Sequence, residues 1–291
     1  MTVVGILSPG EMGSAMGRVL VAHGRTVVAC VQGRSQATRK VAEAAGFALV
    51  PTLDEVVARA DLVVSVVPQQ AVLDTAAAFA AAVRCCSRPP LYLDANSVAP
   101  ATVREVCAEV AASGAACVDG AFVGSASELA GRTTLYLSGE HAAAAAAALR
   151  DALRVHVLDA ETGTASAFKL CVYGFNKGLV ALFLEMVTAA DRIGQREELV
   201  RSLREFYPGS VETVERLLPT YPRHARRRAE ELDEIGEWLR SAGHSDAMAA
   251  ATRHVIAGLA ALDLPPGEAW DAERVLGECC RRGLLSEPPK P

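Results

Sequence analysis

The feature that most constrains the fold lies at the start of the chain. Val3-Val4-Gly5-Ile6-Leu7 is a short apolar run that passes into Ser8-Pro9-Gly10-Glu11-Met12-Gly13, and then into a helical pattern ending near residue 22. A second β-branched run follows at 26–31. Strand, glycine turn, helix and strand in that order specify a parallel βαβ unit. Gly10 and Gly13 have the spacing of the last two glycines of a G-x-G-x-x-G turn, with Ser8 in the first place. In such a turn Gly10 lets the backbone approach a pyrophosphate and Gly13 lets helix and strand pack closely, while the helix N-terminus offers free N–H groups and a positive dipole end. The residues alone also fit a plain tight turn. Their context favours a dinucleotide site made by Ser8, Pro9, Gly10, Glu11, Met12 and Gly13.

The alternation continues. Strands are expected at 62–67, 91–94, 116–118, 134–138 and 156–158, with helices at 36–45, 54–59, 70–83 and 101–113. Apolar strands alternating with helices imply a parallel sheet covered on both faces, wound by right-handed crossovers. Beyond residue 166 only helical periodicity remains, punctuated by Pro208, Pro219, Pro222 and the Pro265-Pro266 pair. The expected fold class is therefore α/β: a doubly wound Rossmann domain at 1–160, followed by an all-α domain at 161–291. The tail from Ser286 to Pro291 reads as disordered.

The end of the second strand addresses cofactor choice. An NAD site carries an acid there to hold the ribose 2′-hydroxyl. The segment Val31-Gln32-Gly33-Arg34-Ser35 has none, and no acidic residue occurs between Glu11 and Glu43. Arg34 and Ser35, with Arg39 and Lys40 beyond, suit a 2′-phosphate, so the expected cofactor is NADP(H). A solvated basic helix start is the alternative for the same residues. Val67 and Pro68 end the third strand at the edge where ligands bind such sheets.

Composition removes other classes. A net charge of -5 gives no electrostatic footprint for nucleic acid. The N-terminus has neither the basic flank nor the cleavage site of a secretory signal, and no charge-free run of about 18 apolar residues is present to span a membrane. The eight cysteines show no C-x-x-C spacing and the six histidines no ligand spacing, so no metal is expected. With no export signal, the thiols are expected to be reduced in a cytoplasm.

A larger series of motifs appears in order: Gly10-Glu11-Met12-Gly13, Asp94-Ala95-Asn96-Ser97-Val98-Ala99-Pro100, Asp119-Gly120-Ala121-Phe122-Val123-Gly124-Ser125, and Gly163 followed by Lys169. This series resembles the β-hydroxyacid dehydrogenase superfamily, which includes 3-hydroxyisobutyrate and 6-phosphogluconate dehydrogenases, with the imine reductases as relatives. Around Pro222-Arg223-His224-Ala225 and Glu230-Glu231 the chain looks most like a 6-phosphogluconate dehydrogenase-like branch. The resemblance implies an NADP-dependent oxidoreductase acting on a small 3-hydroxy acid or its aldehyde or ketone, with Lys169 as general acid/base. A lysine beside a cationic nicotinamide in a partly dry pocket can have a lowered pKa and exchange the alcohol proton. Imine reduction, for which a lysine is unhelpful, and a non-catalytic NADP-binding role are the alternatives.

Two positions depart from that family. Its asparagine four residues after the lysine is Tyr173 here, with Asn176 further on, and the serine of its Ser-Gly-Gly loop is Val123. Both positions help to hold a substrate carboxylate in the family, leaving Asn96, Ser97 and Gly124, with Tyr173 and Asn176, as expected substrate contacts. On a helix the polar stripe from Lys169 through Tyr173, Asn176 and Lys177 is either a site or a wet face. The cluster Arg223, His224, Arg226, Arg227 and Arg228 either reaches a substrate anion or pairs with Glu230, Glu231 and Glu234. The long apolar helix after residue 165 implies a homodimer, or burial within its own domain.

Overall fold

A computed structural model describes residues 2–285; the expectation for the tail from Ser286 onward lies outside the described residues. The chain divides into two compact units, Met1–Lys169 and Leu170–Pro291.

The first unit is built on β1 (Val3–Ile6), β2 (Thr26–Cys30), β3 (Ala48–Val50), β4 (Leu62–Ser65), β5 (Leu91–Asp94), β6 (Cys117–Val123), β7 (Thr134–Ser138) and β8 (Arg154–Val157). Its helices are α1 (Glu11–Ala22), α2 (Gln36–Ala44), α3 (Leu53–Arg59), α4 (Val72–Val83), α5 (Pro100–Ala112) and α6 (Ala142–Leu149). The strands lie in the order β3-β2-β1-β4-β5-β6-β7-β8, and β1 to β6 are mutually parallel. Successive side chains of one strand enter opposite cores. Leu62 and Val64 join Met16 and Leu20 of α1 on one face. Val63 joins Val56, Phe79 and Val106 of α3, α4 and α5 on the other. That is why β4 is apolar along its whole length.

Three features of this unit differ from the expectation. β3 is an additional three-residue edge strand, too short to show a period, and it is held by pairing with β2 from Val28↔Ala48 to Cys30↔Val50. β6 runs on to Val123 instead of ending near 118. Asp119 and Gly120 read as breakers, yet Asp119 is fully buried and hydrogen-bonded, and a Cβ at Gly120 would lie 2.6 Å from Leu93 Cδ1. β7 is antiparallel to β6, because a parallel crossover needs a dozen or more residues and only 124–133 intervene.

A fourth correction concerns the cysteines. Cys107 on α5 and Cys117 opening β6 form a disulfide, Cα–Cα 5.3 Å, whereas all eight were expected to be reduced. Folding α5 back onto the strand that follows it places the two residues together. Cys30, Cys85, Cys86, Cys171, Cys279 and Cys280 are free thiols.

α7 (Thr164–Arg192) begins in the first unit and runs on into the second, which continues with α8 (Arg196–Phe206), α9 (Pro208–Leu217), α10 (Tyr221–Ser241), α11 (Ala247–Ala261) and α12 (Ala272–Arg281). The expected boundary at 160 moves to 169 because the segment entering α7 is hydrogen-bonded to β6 and β7: Gly163 and Ser166 N–H donate to Asp119, and Ala165 N–H to Ser138. The core of the second unit joins Val180, Leu184 and Val187 of α7 to Val214, Leu232, Ile256 and Val275. α7 is also the one described helix long and apolar enough by length and composition to cross a membrane, although Lys169, Lys177 and Glu185 leave it no charge-free run of about 18 residues, as expected. It carries two buried lysines and contributes Val180 and Leu184 to that core, while Phe175, Leu182 and Met186 are exposed.

Candidate active site

The glycine turn closes as its sequence requires. A Cβ on Gly13 would stand 2.0 Å from the Ser8 carbonyl oxygen, so only glycine allows α1 to pack this close to the end of β1. Gly17, one turn on, has the Phe47 ring 1.9 Å from its would-be Cβ. Gly10 is different: it is exposed, and the nearest atom to a Cβ there is Ser8 Oγ at 3.8 Å. Gly10 caps α1 through its carbonyl, which accepts from Ser14 N–H at 2.8 Å, and no side chain caps the helix start. The first N–H groups, at Glu11, Met12 and Gly13, therefore form an uncapped positive helix end beside open backbone.

A cleft of about 260 Å³ lies next to the turn, lined by Leu7, Cys30, Gln32, Arg34 and Leu53, with Ala71, Asp74, Thr75 and Ala78 on the α4 side. Arg34 is thus placed in a ligand-sized hollow. Ser35 spends its hydroxyl as the N-cap of α2, accepting from Thr38 N–H at 3.1 Å. The α4 lining was missed in the sequence, although Ala71, Thr75 and Ala78 follow helical spacing just after Pro68. Asp74 brings to this cleft a carboxylate that β2 lacks.

The ends of β4 and β5 are tied together by Asn96. Its Oδ1 accepts from Val67 N–H at 2.7 Å, and its Nδ2 donates to Ser65 Oγ at 3.0 Å and to Asp94 Oδ2 at 2.8 Å. Asn96 is 3% exposed and both amide hydrogens are committed, so its side chain braces the strand ends that carry Val67 and Pro68 and has no donor left for a ligand. Asp94 also accepts from Asn96 N–H at 3.1 Å. Burial pushes the Asp94 carboxyl up to about 6; its bonds to Asn96 pull the other way, Asp119 adds to the rise, and Lys169 opposes it.

Lys169 emerges from the second turn of α7, buried, and its Nζ donates to Ser97 Oγ at 2.6 Å. The helix start is held by Asp119 at the middle of β6. Asp119 Oδ2 accepts from Gly163 N–H at 3.0 Å, Ser166 N–H at 3.1 Å and Ser138 Oγ at 2.9 Å, and Oδ1 accepts from Ser166 Oγ at 2.7 Å. A carboxylate accepting N–H groups of the first turn acts as a cap and complements the helix dipole. Gly163 enters the turn at φ +100°, a conformation suited to glycine. Asp119 is the functional residue the sequence reading left without a role.

Gly124 follows β6 at φ +132° and is exposed, and a Cβ there would meet Thr133 Oγ1 at 2.2 Å. Tyr173 and Asn176 lie further along α7, in the second unit, where the Tyr173 ring centroid is 5.2 Å from Lys177 Nζ.

Residues 2–154, over half of the chain, match the NAD binding domain of 6-phosphogluconate dehydrogenase. The chain belongs to the β-hydroxyacid dehydrogenase-like superfamily. Its first unit is a dinucleotide-binding dehydrogenase domain, and the uncapped α1 terminus, open Gly10 and adjoining cleft fit such a ligand. Residues 190–259 match a domain of unknown function, DUF1932. An uncharacterized 28.5 kDa protein of Methanothermus fervidus is 26% identical over 240 residues, covering 82% of this chain and 91% of that protein. A solved conserved protein of unknown function, structurally similar to 3-hydroxyacid dehydrogenases, is 28% identical with a TM-score of 0.74, covering 88% of this chain and 95% of that one. The 3-hydroxyisobutyrate dehydrogenase of Mycobacterium tuberculosis, solved with L-serine, shares the fold at 19% identity and a TM-score of 0.77, over 95% and 98% of the two chains. So does a reductive aminase of Aspergillus terreus, solved with NADPH and ethyl levulinate, at 17% identity and a TM-score of 0.59, over 95% and 99%.

Proposed function

We propose that this protein is an NADPH-dependent oxidoreductase acting on a small 3-hydroxy acid or the matching aldehyde or ketone, with Lys169 as general acid/base. The observation that carries the reading is a buried lysine donating to Ser97 Oγ at 2.6 Å, beside the strand ends of a dinucleotide-binding domain. When bound, the nicotinamide supplies or accepts the hydride. In the reducing direction the Lys169 ammonium gives its proton to the nascent alkoxide; in the oxidising direction the neutral amine removes the alcohol proton. Ser97 orients Nζ, and the Asp119-capped helix start keeps the lysine in place.

The uncapped α1 terminus would hold the pyrophosphate through its N–H groups. Arg34, which lines the cleft, would make charge-assisted hydrogen bonds to a 2′-phosphate, which favours NADP over NAD. The first unit serves the cofactor and the second the substrate and a homodimer contact. Phe175, Leu182 and Met186, at 72%, 57% and 42% exposure, recur at helical spacing along α7, and Ile193, at 73%, follows just past its end; together they form the apolar stripe a second copy would cover. Sedimentation showing only monomer would refute the dimer.

Turnover of 3-hydroxy acids by wild type and Lys169→Ala tests the chemistry. Loss of about a hundredfold or more in kcat is expected for a general acid/base, and full activity in the variant rules the role out. Reduction of cyclic imines but not of carbonyls would instead favour an imine reductase. NADPH binding without turnover on either class would favour a non-catalytic protein.

A further inference from the structure

The helical unit holds a cationic cluster that the proposed chemistry does not use. Lys177 of α7 is 5% exposed, and its Nζ pairs with Glu231 Oε2 at 3.0 Å. Arg227 shares that carboxylate, Nε to Oε1 at 3.5 Å. Arg228 has no carboxylate partner among the described residues. Its guanidinium lies over the Tyr221 ring at 4.0 Å, Nη2 donates to Thr220 Oγ1 at 2.7 Å, and Nη1 is buried with no acceptor. Tyr221, His224, Arg228 and Glu231 recur at three- and four-residue spacing and share one face of α10.

Two cations thus share one carboxylate, a third stands near it without pairing, and a buried guanidinium nitrogen lacks the acceptor that buried donors almost always have. Leaving such a donor unmet forfeits its desolvation energy. Burial, then the nearby arginines, hold the His224 imidazole below its ordinary pKa, so at neutral pH it adds a polar edge and no further charge. Arg227 is exposed, and His224 and Arg228 are half-buried, so the cluster borders solvent through Arg227. What the cluster lacks is an acceptor with two or more oxygens, the geometry an arginine fork matches.

We propose that this cluster binds a small oxyanion, the carboxylate or phosphate of a metabolite, with Arg228 as its principal donor. The site lies within the second unit and depends neither on Lys169 nor on the cofactor. Calorimetric titration of the full-length protein with inorganic phosphate and with malonate, at constant ionic strength, tests it. Wild type is expected to bind one of them at millimolar concentration or tighter, and whichever binds more tightly names the group. Arg228→Gln is expected to weaken binding about tenfold or more, Arg34→Ala to leave it unchanged, and the His224 titration followed by NMR to move up on saturation. Should Arg228→Gln not fold, Arg228→Lys keeps the charge without the fork and is expected to bind several-fold more weakly. Binding by neither anion, binding unchanged in the Arg228 variant that folds, or binding abolished by Arg34→Ala alone would overturn the proposal.

Discussion

Replacing Asp94 by asparagine removes a charge that the fold holds at a cost. Burial raises this carboxyl from an ordinary 3.8 to about 6. At about 1.36 kcal/mol per pKa unit, a rise of roughly two units corresponds to about 3 kcal/mol. Because the folded pKa is the higher one, the stabilising contribution is fully present below pH 3.8 and is lost as the pH rises through about 6. The ionised group therefore weighs against folding at neutral and alkaline pH. Asp94→Asn keeps one acceptor for Asn96 and cannot ionise, so its loss of hydrogen bonding is a constant offset. Urea denaturation of both proteins from about pH 4 to about pH 8 isolates the effect. The difference in unfolding free energy between variant and wild type should shift by about 3 kcal/mol in favour of the variant, mostly between pH 4 and 6.5. Curves parallel to within about 0.5 kcal/mol would show that Asp94 is not held in a desolvated site, and the strand-end network would need another explanation.

Other perturbations address the remaining parts. Gly13→Ala forces a methyl against the Ser8 carbonyl; a loss of about 1–3 kcal/mol by thermal melting and of nucleotide binding by fluorescence titration is expected, and unchanged NADPH affinity would remove the turn from the site. Asp119→Ala strands the donors on Gly163, Ser166 and Ser138; destabilisation of about 3–5 kcal/mol is expected on denaturant titration, and less than about 1 kcal/mol would contradict its place as the anchor of α7. Arg34→Ala should remove most of the preference for NADPH over NADH, and equal affinities in wild type would withdraw the assignment to NADP. Lys169→Ala should raise the Asp94 pKa further, since Lys169 lowers it; carboxyl titration by NMR showing no shift would deny that the two charges sense each other.

Legibility in the sequence followed the range of each interaction. The strand–turn–helix opening was readable because steric demands at Gly13 arise within a few residues of it. Lys169 was readable only through resemblance: periodicity marks a helix and says nothing about which lysine meets Ser97, 72 residues away. The roles of Asp119 and Asn96 depend on partners brought in from other strands and from α7. Asp119 even argued against the strand it occupies, until its acceptors were satisfied from outside that strand. Asn96 offers two amide donors as a free side chain, and only packing shows both of them spent.

The sequence by itself determined the βαβ opening, the two-faced sheet and the change to helices after β8, because side-chain period and glycine sterics are local properties. The tertiary structure alone decided which way β7 runs, how Cys107 and Cys117 pair, where the carboxylate of Asp94 is desolvated and that Nη1 of Arg228 is buried without an acceptor. Each of those depends on what lies across a gap in space, and a one-dimensional pattern carries no distance between residues far apart along the chain.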